Sequence, residues 1–367
     1  MSKQFKLLTC VFFLYIIGLV MIFNTSSAEV LDHHPDRSTH AALFKQIGAG
    51  MIGALACYTT YRIGYDKLLS ISPILLLFFS LLLALVLIPG IGVMVNGSRR
   101  WMWFLGMSIQ PSEFVKYVCL LYFTYCILQV EGAMTLERFL KILAVLAIPL
   151  VLILLEPNNG TAGVIVISLS ALFFLTKVPF RFWGLPLVGF VCVATLFALN
   201  MPYVKARLQV YLHPELDLKG KGHQPHQAKI ASGSGGFWGK GPGQSVQKLS
   251  YLPEAQNDYI AAIYAEEYGF LGMLVLIGLY GWLAYLGFSC AIFAQDKASL
   301  YIAGSFTFLV SLQAFLNLGV VSGIVPSTGL NLPFFSQGGS SLISNSAGLG
   351  VLMSIAAKQK RLLWAKP

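Results

Sequence analysis

The segment from Ser250 to Gly272, SYLPEAQNDYIAAIYAEEYGFLG, sets Glu254, Asp258, Glu266 and Glu267 directly before a long apolar run. Only 11% of the 367 residues are charged, so acids gathered there need a reason. Pro253 can start a helix, and Asn257 or Asp258 can cap one. On a helix, Asp258 and Glu266 would be separated by roughly 12 Å of rise, too far for two carboxylates to share one bond as a glycosidase pair does. A single acid is the better candidate. Asp258 sits where a loop meets a membrane helix and could take a proton from a substrate held at that interface; an ordinary helix-capping aspartate is the plainer alternative.

Other stretches carry weaker chemistry. Ala231 to Ser245, ASGSGGFWGKGPGQS, invites a phosphate-loop reading, but Ser234 and Gly241 stand where that motif needs Gly and then Ser or Thr. Its amides and Lys240 could still cradle an anion, or the loop could simply fold against the membrane surface. In NGSRRWMWFLGMSIQPSEFVKY, Arg99 and Arg100 beside Trp101 and Trp103 suit a headgroup-level anchor or a diphosphate contact. Glu113 and Lys116, three apart on one helix face, are either functional or an ion pair that fixes the helix. Glu156, a lone acid ending an oily helix in LLEPNNGTAG, calls for a partner such as Lys116 or Arg99. Ile324 to Gly348 is rich in Pro, Gly and Ser, a composition suited to irregular backbone lining a cavity or to close helix contact. His223 and His226 could bind a metal, but Pro225 between them spoils a single-face geometry.

The elements that must position these groups are membrane helices. Hydrophobic residues make up 56% of the chain and mean hydropathy is +0.72, which excludes a soluble domain. A span needs about 20 apolar residues. That criterion predicts an all-α polytopic integral membrane protein with about ten transmembrane helices: 6–24, 44–61, 68–92, 111–130, 139–155, 160–176, 182–199, 268–294, 300–323 and 338–357. The net charge of +10 does not point to nucleic acid, because Lys3, Lys6, Arg62, Lys67, Arg138, Lys141, Lys177, Arg181 and the tail lysines all fall on one side of such a bundle. The positive-inside rule then puts both termini in the cytoplasm, with Arg99 and Arg100 as outer exceptions. One large extracytoplasmic loop, 200–267, separates helices 7 and 8 of a single membrane domain, 1–367. The six cysteines lie inside predicted spans and read as packing residues.

In this order, NGSRRW…IQPSE, EPNNGT, GSGGFWGKGPGQS…YLPEAQNDYIAAIYAEEYGFLG and STGLNLPFFSQGGSS closely resemble the SEDS family, typified by RodA, FtsW and SpoVE, over nearly the whole chain. The wording GQSVQKLSYLPEA is more similar to the FtsW branch. The resemblance implies a peptidoglycan glycosyltransferase in the bacterial inner (cytoplasmic) membrane that polymerises lipid II into glycan strands during division or elongation. It implies a class B penicillin-binding protein as partner, alongside other divisome or elongasome membrane proteins. The family's essential aspartate corresponds to Asp258, following Glu254 of LPE. Glu113 and Lys116 match its QPSE helix, Arg100 and Trp101 its RW motif, Glu266 and Glu267 its EE, and Ser340 its GGSS. Two residues depart from the family pattern: Asn158 replaces an Asp in EPDxGT, and Gln337 replaces an aromatic before GGSS.

The mechanism this implies is an inverting transfer in which Asp258 deprotonates the acceptor sugar. The leaving undecaprenyl diphosphate would be held by Arg99, Arg100, Lys116 and Lys240, with Glu113, Glu156, Glu254 and Ser340 completing the substrate site. No cofactor follows from the sequence with certainty; a divalent cation, Mg or Mn, could help to stabilise the leaving group. The rival readings are a lipid II flippase, with Glu113, Lys116 and Glu156 lining a polar path, and a non-catalytic scaffold.

Overall fold

The structure is a computed structural model that describes residues 2–33, 38–95, 98–104, 106–200, 223–248 and 255–364. Nine of the ten predicted apolar runs fall essentially on single helices, and the third is divided between two. The helices are α1 (Lys3–His33), α2 (Ala41–Ile63), α3 (Tyr65–Ser70), α4 (Ser72–Leu87), α5 (Pro111–Leu128), α6 (Leu136–Leu155), α7 (Asn159–Leu175) and α8 (Phe180–Asn200). After α9 (His223–Ser234) come α10 (Ile260–Ile292), α11 (Lys297–Val321) and α12 (Gly339–Trp364). Among the described residues α1, α2, α6, α10, α11 and α12 contain stretches long and apolar enough to cross a bilayer; α4 and α7 are shorter apolar helices. This is a polytopic membrane architecture, in which backbone groups are satisfied within each helix.

Three expectations need correction. The outer segment after α4 is not a loop: β1 (Gly92–Val95), β2 (Ser98–Phe104) and β3 (Met107–Ile109) form an antiparallel sheet, so the protein is not purely α. A bulge between Val93 and Met94 shifts the β1–β2 register. The sequence signal was Asn96-Gly97 between two β-prone runs. Next, the expected loop 200–267 contains α9, and its last eight residues, 260–267, already belong to α10. Finally, the third predicted span is broken into α3 and α4 and ends at Leu87.

Among the six long apolar spans, α11 and α12 are the most enclosed. α12 lies along α2, and small residues set their distance. A Cβ on Gly350 would stand 2.2 Å from the Cys57 carbonyl oxygen, and one on Gly53 would stand 2.9 Å from Ser346 Oγ. A side chain at Gly350 would force the helices apart, whereas one at Gly53 would first displace the Ser346 hydroxyl. At one end of the bundle Lys358 Nζ meets Tyr65 OH at 2.6 Å and Asp66 Oδ2 at 3.1 Å, while Lys3 Nζ donates to Ser289 O at 3.2 Å. The opposite end, where α10 and α12 begin, carries the cavity described next.

Candidate active site

A cavity of about 900 Å³ opens at that end. Its walls come from the start of α2, the sheet, the start of α5, the segment before α10, and the 324–338 loop. Asp258, Arg100, Glu113 and Ser340, four of the residues singled out from sequence, line it together with Trp101, Trp103 and Asn158. The carboxylate of Asp258 lies near Gly329, where an added Cβ would stand 3.7 Å from Oδ2. Its backbone oxygen accepts from Asn317 Nδ2 at 2.8 Å, and the same amide donates to Leu330 O at 2.7 Å. One side chain of α11 therefore ties the Asp258 segment to the loop opposite. Ser340 accepts from Gln110 N at 2.9 Å and donates to Ser108 O at 3.2 Å, locking the start of α12 to β3.

Glu113 and Lys116 form the expected pair, 2.8 Å apart, with Lys116 fully buried. Lys116 also donates to Gln313 Oε1 at 2.7 Å, and Gln313 Nε2 donates to Asn331 O at 2.8 Å. A buried ammonium needs close acceptors, and these satisfy it. Lys116 is not among the residues that line the cavity; through Gln313 it holds the loop that faces Asp258. Gln313 and Asn317, four apart on α11, were missed by sequence reading. Two amides one turn apart inside an apolar span were the available signal.

Glu156 pairs with neither Lys116 nor Arg99. Arg100 reaches over it instead, donating from Nε to Glu156 O at 3.0 Å and from a terminal nitrogen to Pro157 O at 2.6 Å. Both carboxyl oxygens of Glu156 are buried with no hydrogen-bond partner among the described residues. Burial pushes this carboxyl up to about 8, partly opposed by the Arg100 charge. With its ordinary value at 4.5, the folded chain holds a proton here that the unfolded chain releases. The stability it contributes is intact below about pH 4.5 and is lost as pH rises through about 8. Glu156→Gln, which cannot ionise, is expected to show a smaller fall in unfolding temperature than wild type between about pH 6 and about pH 9. Thermal unfolding in detergent at both pH values checks this, and parallel slopes in the two proteins would count against it.

The glycine-rich loop is a structural clamp rather than an anion cradle. Glu266 Oε1 accepts from Lys240 Nζ at 2.6 Å, from Val246 N at 3.3 Å and from Ser234 Oγ at 3.3 Å; Oε2 accepts from Ser245 Oγ and from Gln247 N at 3.3 Å. Glu267 accepts from Lys248 Nζ at 3.0 Å, from Asn24 Nδ2 at 2.6 Å and from Ser245 N at 3.3 Å. Beyond them α10 breaks at Gly269, whose φ of 64° and ψ of −160° only glycine adopts cheaply. Lys240 is thus paired with Glu266 and is not among the residues that line the cavity. Arg99 and Glu156 also lie outside the cavity lining, and Glu254 falls outside the described residues. Among the described residues no three His, Cys, Asp or Glu side chains are placed to hold a metal ion, so no step below is routed through a divalent cation.

A family model described as "Cell cycle protein", covering FtsW, RodA and SpoVE, matches residues 5–361. The chain belongs to this family. Among FtsW/RodA/SpoVE relatives it is 38% identical over 348 residues to a "Probable peptidoglycan glycosyltransferase FtsW" of Saccharophagus degradans, covering 93% of this chain and 89% of that protein. It is 35% identical to the stage V sporulation protein E of Bacillus subtilis, covering 97% of each. Among solved structures, a chain from work on "a peptidoglycan synthase complex" superposes with a TM-score of 0.78 at 27% identity, covering 97% of this chain and 98% of that one. The rod shape determining protein RodA of Thermus thermophilus gives 0.69 at 28% identity, covering 96% of each. The FtsW-like reading of the sequence is shown by these relatives.

Proposed function

We propose that this FtsW-like protein is a peptidoglycan glycosyltransferase that polymerises lipid II at the outer face of the cytoplasmic membrane. One observation carries the proposal: an acid suited to general-base work, Asp258, faces a cavity of about 900 Å³ at the polar end of an apolar helix bundle. Ten spans with both termini in the cytoplasm fit this placement, since Lys3 and Lys358 sit at the end remote from the cavity. Asp258 takes the proton of the acceptor sugar's 4-hydroxyl; that oxygen forms a bond to the anomeric carbon of the growing chain as the bond to undecaprenyl diphosphate breaks. Arg100 is the cation from the predicted set that lines the cavity, and it is placed to meet the departing diphosphate. A class B penicillin-binding protein is the proposed partner, supported by the peptidoglycan synthase complex in which the similar structure was found.

A flippase would use Glu113 and Lys116 as stations along a polar path. In this protein they neutralise each other and hold Gln313, which favours a positioning role. The deciding experiment incubates the purified protein and its cognate penicillin-binding protein with lipid II and resolves products on a gel. Glycan ladders are expected, and a folded preparation that yields none would sink the assignment.

A further inference from the structure

Two polar side chains that line the cavity, Lys45 and Gln337, have unused hydrogen-bonding capacity among the described residues. Lys45, in the second turn of α2, lines the cavity, is exposed, and makes no hydrogen bond or ion pair among the described residues. Gln337 lines the same cavity, and its Oε1 is buried with no partner among the described residues. What joins them is Gln46, which is itself buried. Its Nε2 donates to Ser336 O at 3.3 Å and its Oε1 accepts from Gly338 N at 3.3 Å, so it grips the backbone on both sides of Gln337. Gln337 N is held in turn by Gln256 O at 3.0 Å, two residues before Asp258. The first turns of α2, the 336–338 peptide and the Asp258 segment are thus one hydrogen-bonded unit. A lysine fixed on such a wall near a helix N-terminus gains nothing from the helix dipole, and a carboxamide oxygen without a donor is costly. A ligand bringing an anionic oxygen and an adjacent donor would satisfy both.

We propose that Lys45 and Gln337 form a headgroup subsite for a diphosphate-linked sugar, Lys45 taking a diphosphate oxygen and Gln337 a hydroxyl or amide of the attached sugar. The subsite rests on the lipid II reading above but concerns binding rather than chemistry, so it is tested where no turnover occurs. Lipid II affinity is measured for the full-length protein in nanodiscs, with every variant carrying Asp258→Ala. Lys45→Gln is expected to weaken binding about tenfold or more, the size of a lost charge-assisted hydrogen bond. Lys45→Arg should stay within about threefold of the parent, and Gln337→Leu should lose roughly three- to tenfold. Inorganic diphosphate should displace lipid II from the parent far better than from Lys45→Gln; equal displacement from both would overturn the Lys45 contact. Unchanged affinity in Lys45→Gln, with an unaltered unfolding temperature, would overturn the subsite. Lysine-dependent binding by a wild-type protein that makes no glycan would leave the subsite standing and remove the glycosyltransferase reading instead.

Discussion

Asp258→Ala is expected to lower the rate of lipid II polymerisation by roughly 10²- to 10⁴-fold, the usual contribution of a positioned general base. The protein should remain folded, because the Asp258 segment is held through its backbone: Asn317 binds the Asp258 carbonyl, and Gln337 N binds Gln256 O. Asp258→Asn keeps the shape and removes the basicity, so it should be as inactive as alanine. Asp258→Glu keeps the basicity and moves the oxygens by one methylene, so it should retain a small, measurable rate. Initial rates on purified lipid II, normalised to folded protein, distinguish the three. An Asn variant keeping more than about a tenth of wild-type activity would remove Asp258 from the role of base.

The sequence made some of this visible and concealed the rest for physical reasons. Long uninterrupted apolar runs report helices directly, since a backbone crossing a bilayer must satisfy its own polar groups, and apart from the end of the third run, which enters the sheet, the predicted runs are helical. Asp258 was legible because an acid between a loop and an oily run is rare. The destinations of the lysines were not. Lys116 could be paired with Glu113 from spacing alone, but its second partner, Gln313, is 197 residues away, and only the tertiary fold reveals that the pair serves a loop. Lys240 looked available because Glu266 lies 26 residues on, across a segment whose course the composition does not dictate. The sheet was hidden by its content: strand-like runs of Val, Trp and Phe in an apolar chain read equally well as interfacial anchor. Lys45 and Gln46 went unremarked inside a span, although polar residues at a span's entrance mark a cavity as readily as an interface.

The largest expected loss of stability is at Glu266. Glu266→Ala would leave the Ser245 hydroxyl and the amides of Val246 and Gln247 without their shared acceptor, and each buried donor left unsatisfied costs about 1–3 kcal/mol. Glu266→Gln should be nearly as damaging despite its shape. The carboxylate accepts at both oxygens, so an amide nitrogen in either position faces a backbone N–H, Val246 on one side and Gln247 on the other. Thermal unfolding should show both variants well below wild type, whereas Lys240→Ala, whose ammonium is about one-third exposed, should lose much less. The expected asymmetry follows from the number of bonds lost: Glu266→Ala removes the acceptor of the whole clamp, whereas Lys240→Ala leaves the acid its bonds from Ser245, Val246 and Gln247. Activity should fall with stability, because the clamp holds the first two turns of α10 and so the angle at which that helix leaves Asp258. A Glu266→Gln protein with wild-type unfolding temperature would show that the glycine-rich loop is not held by this acid.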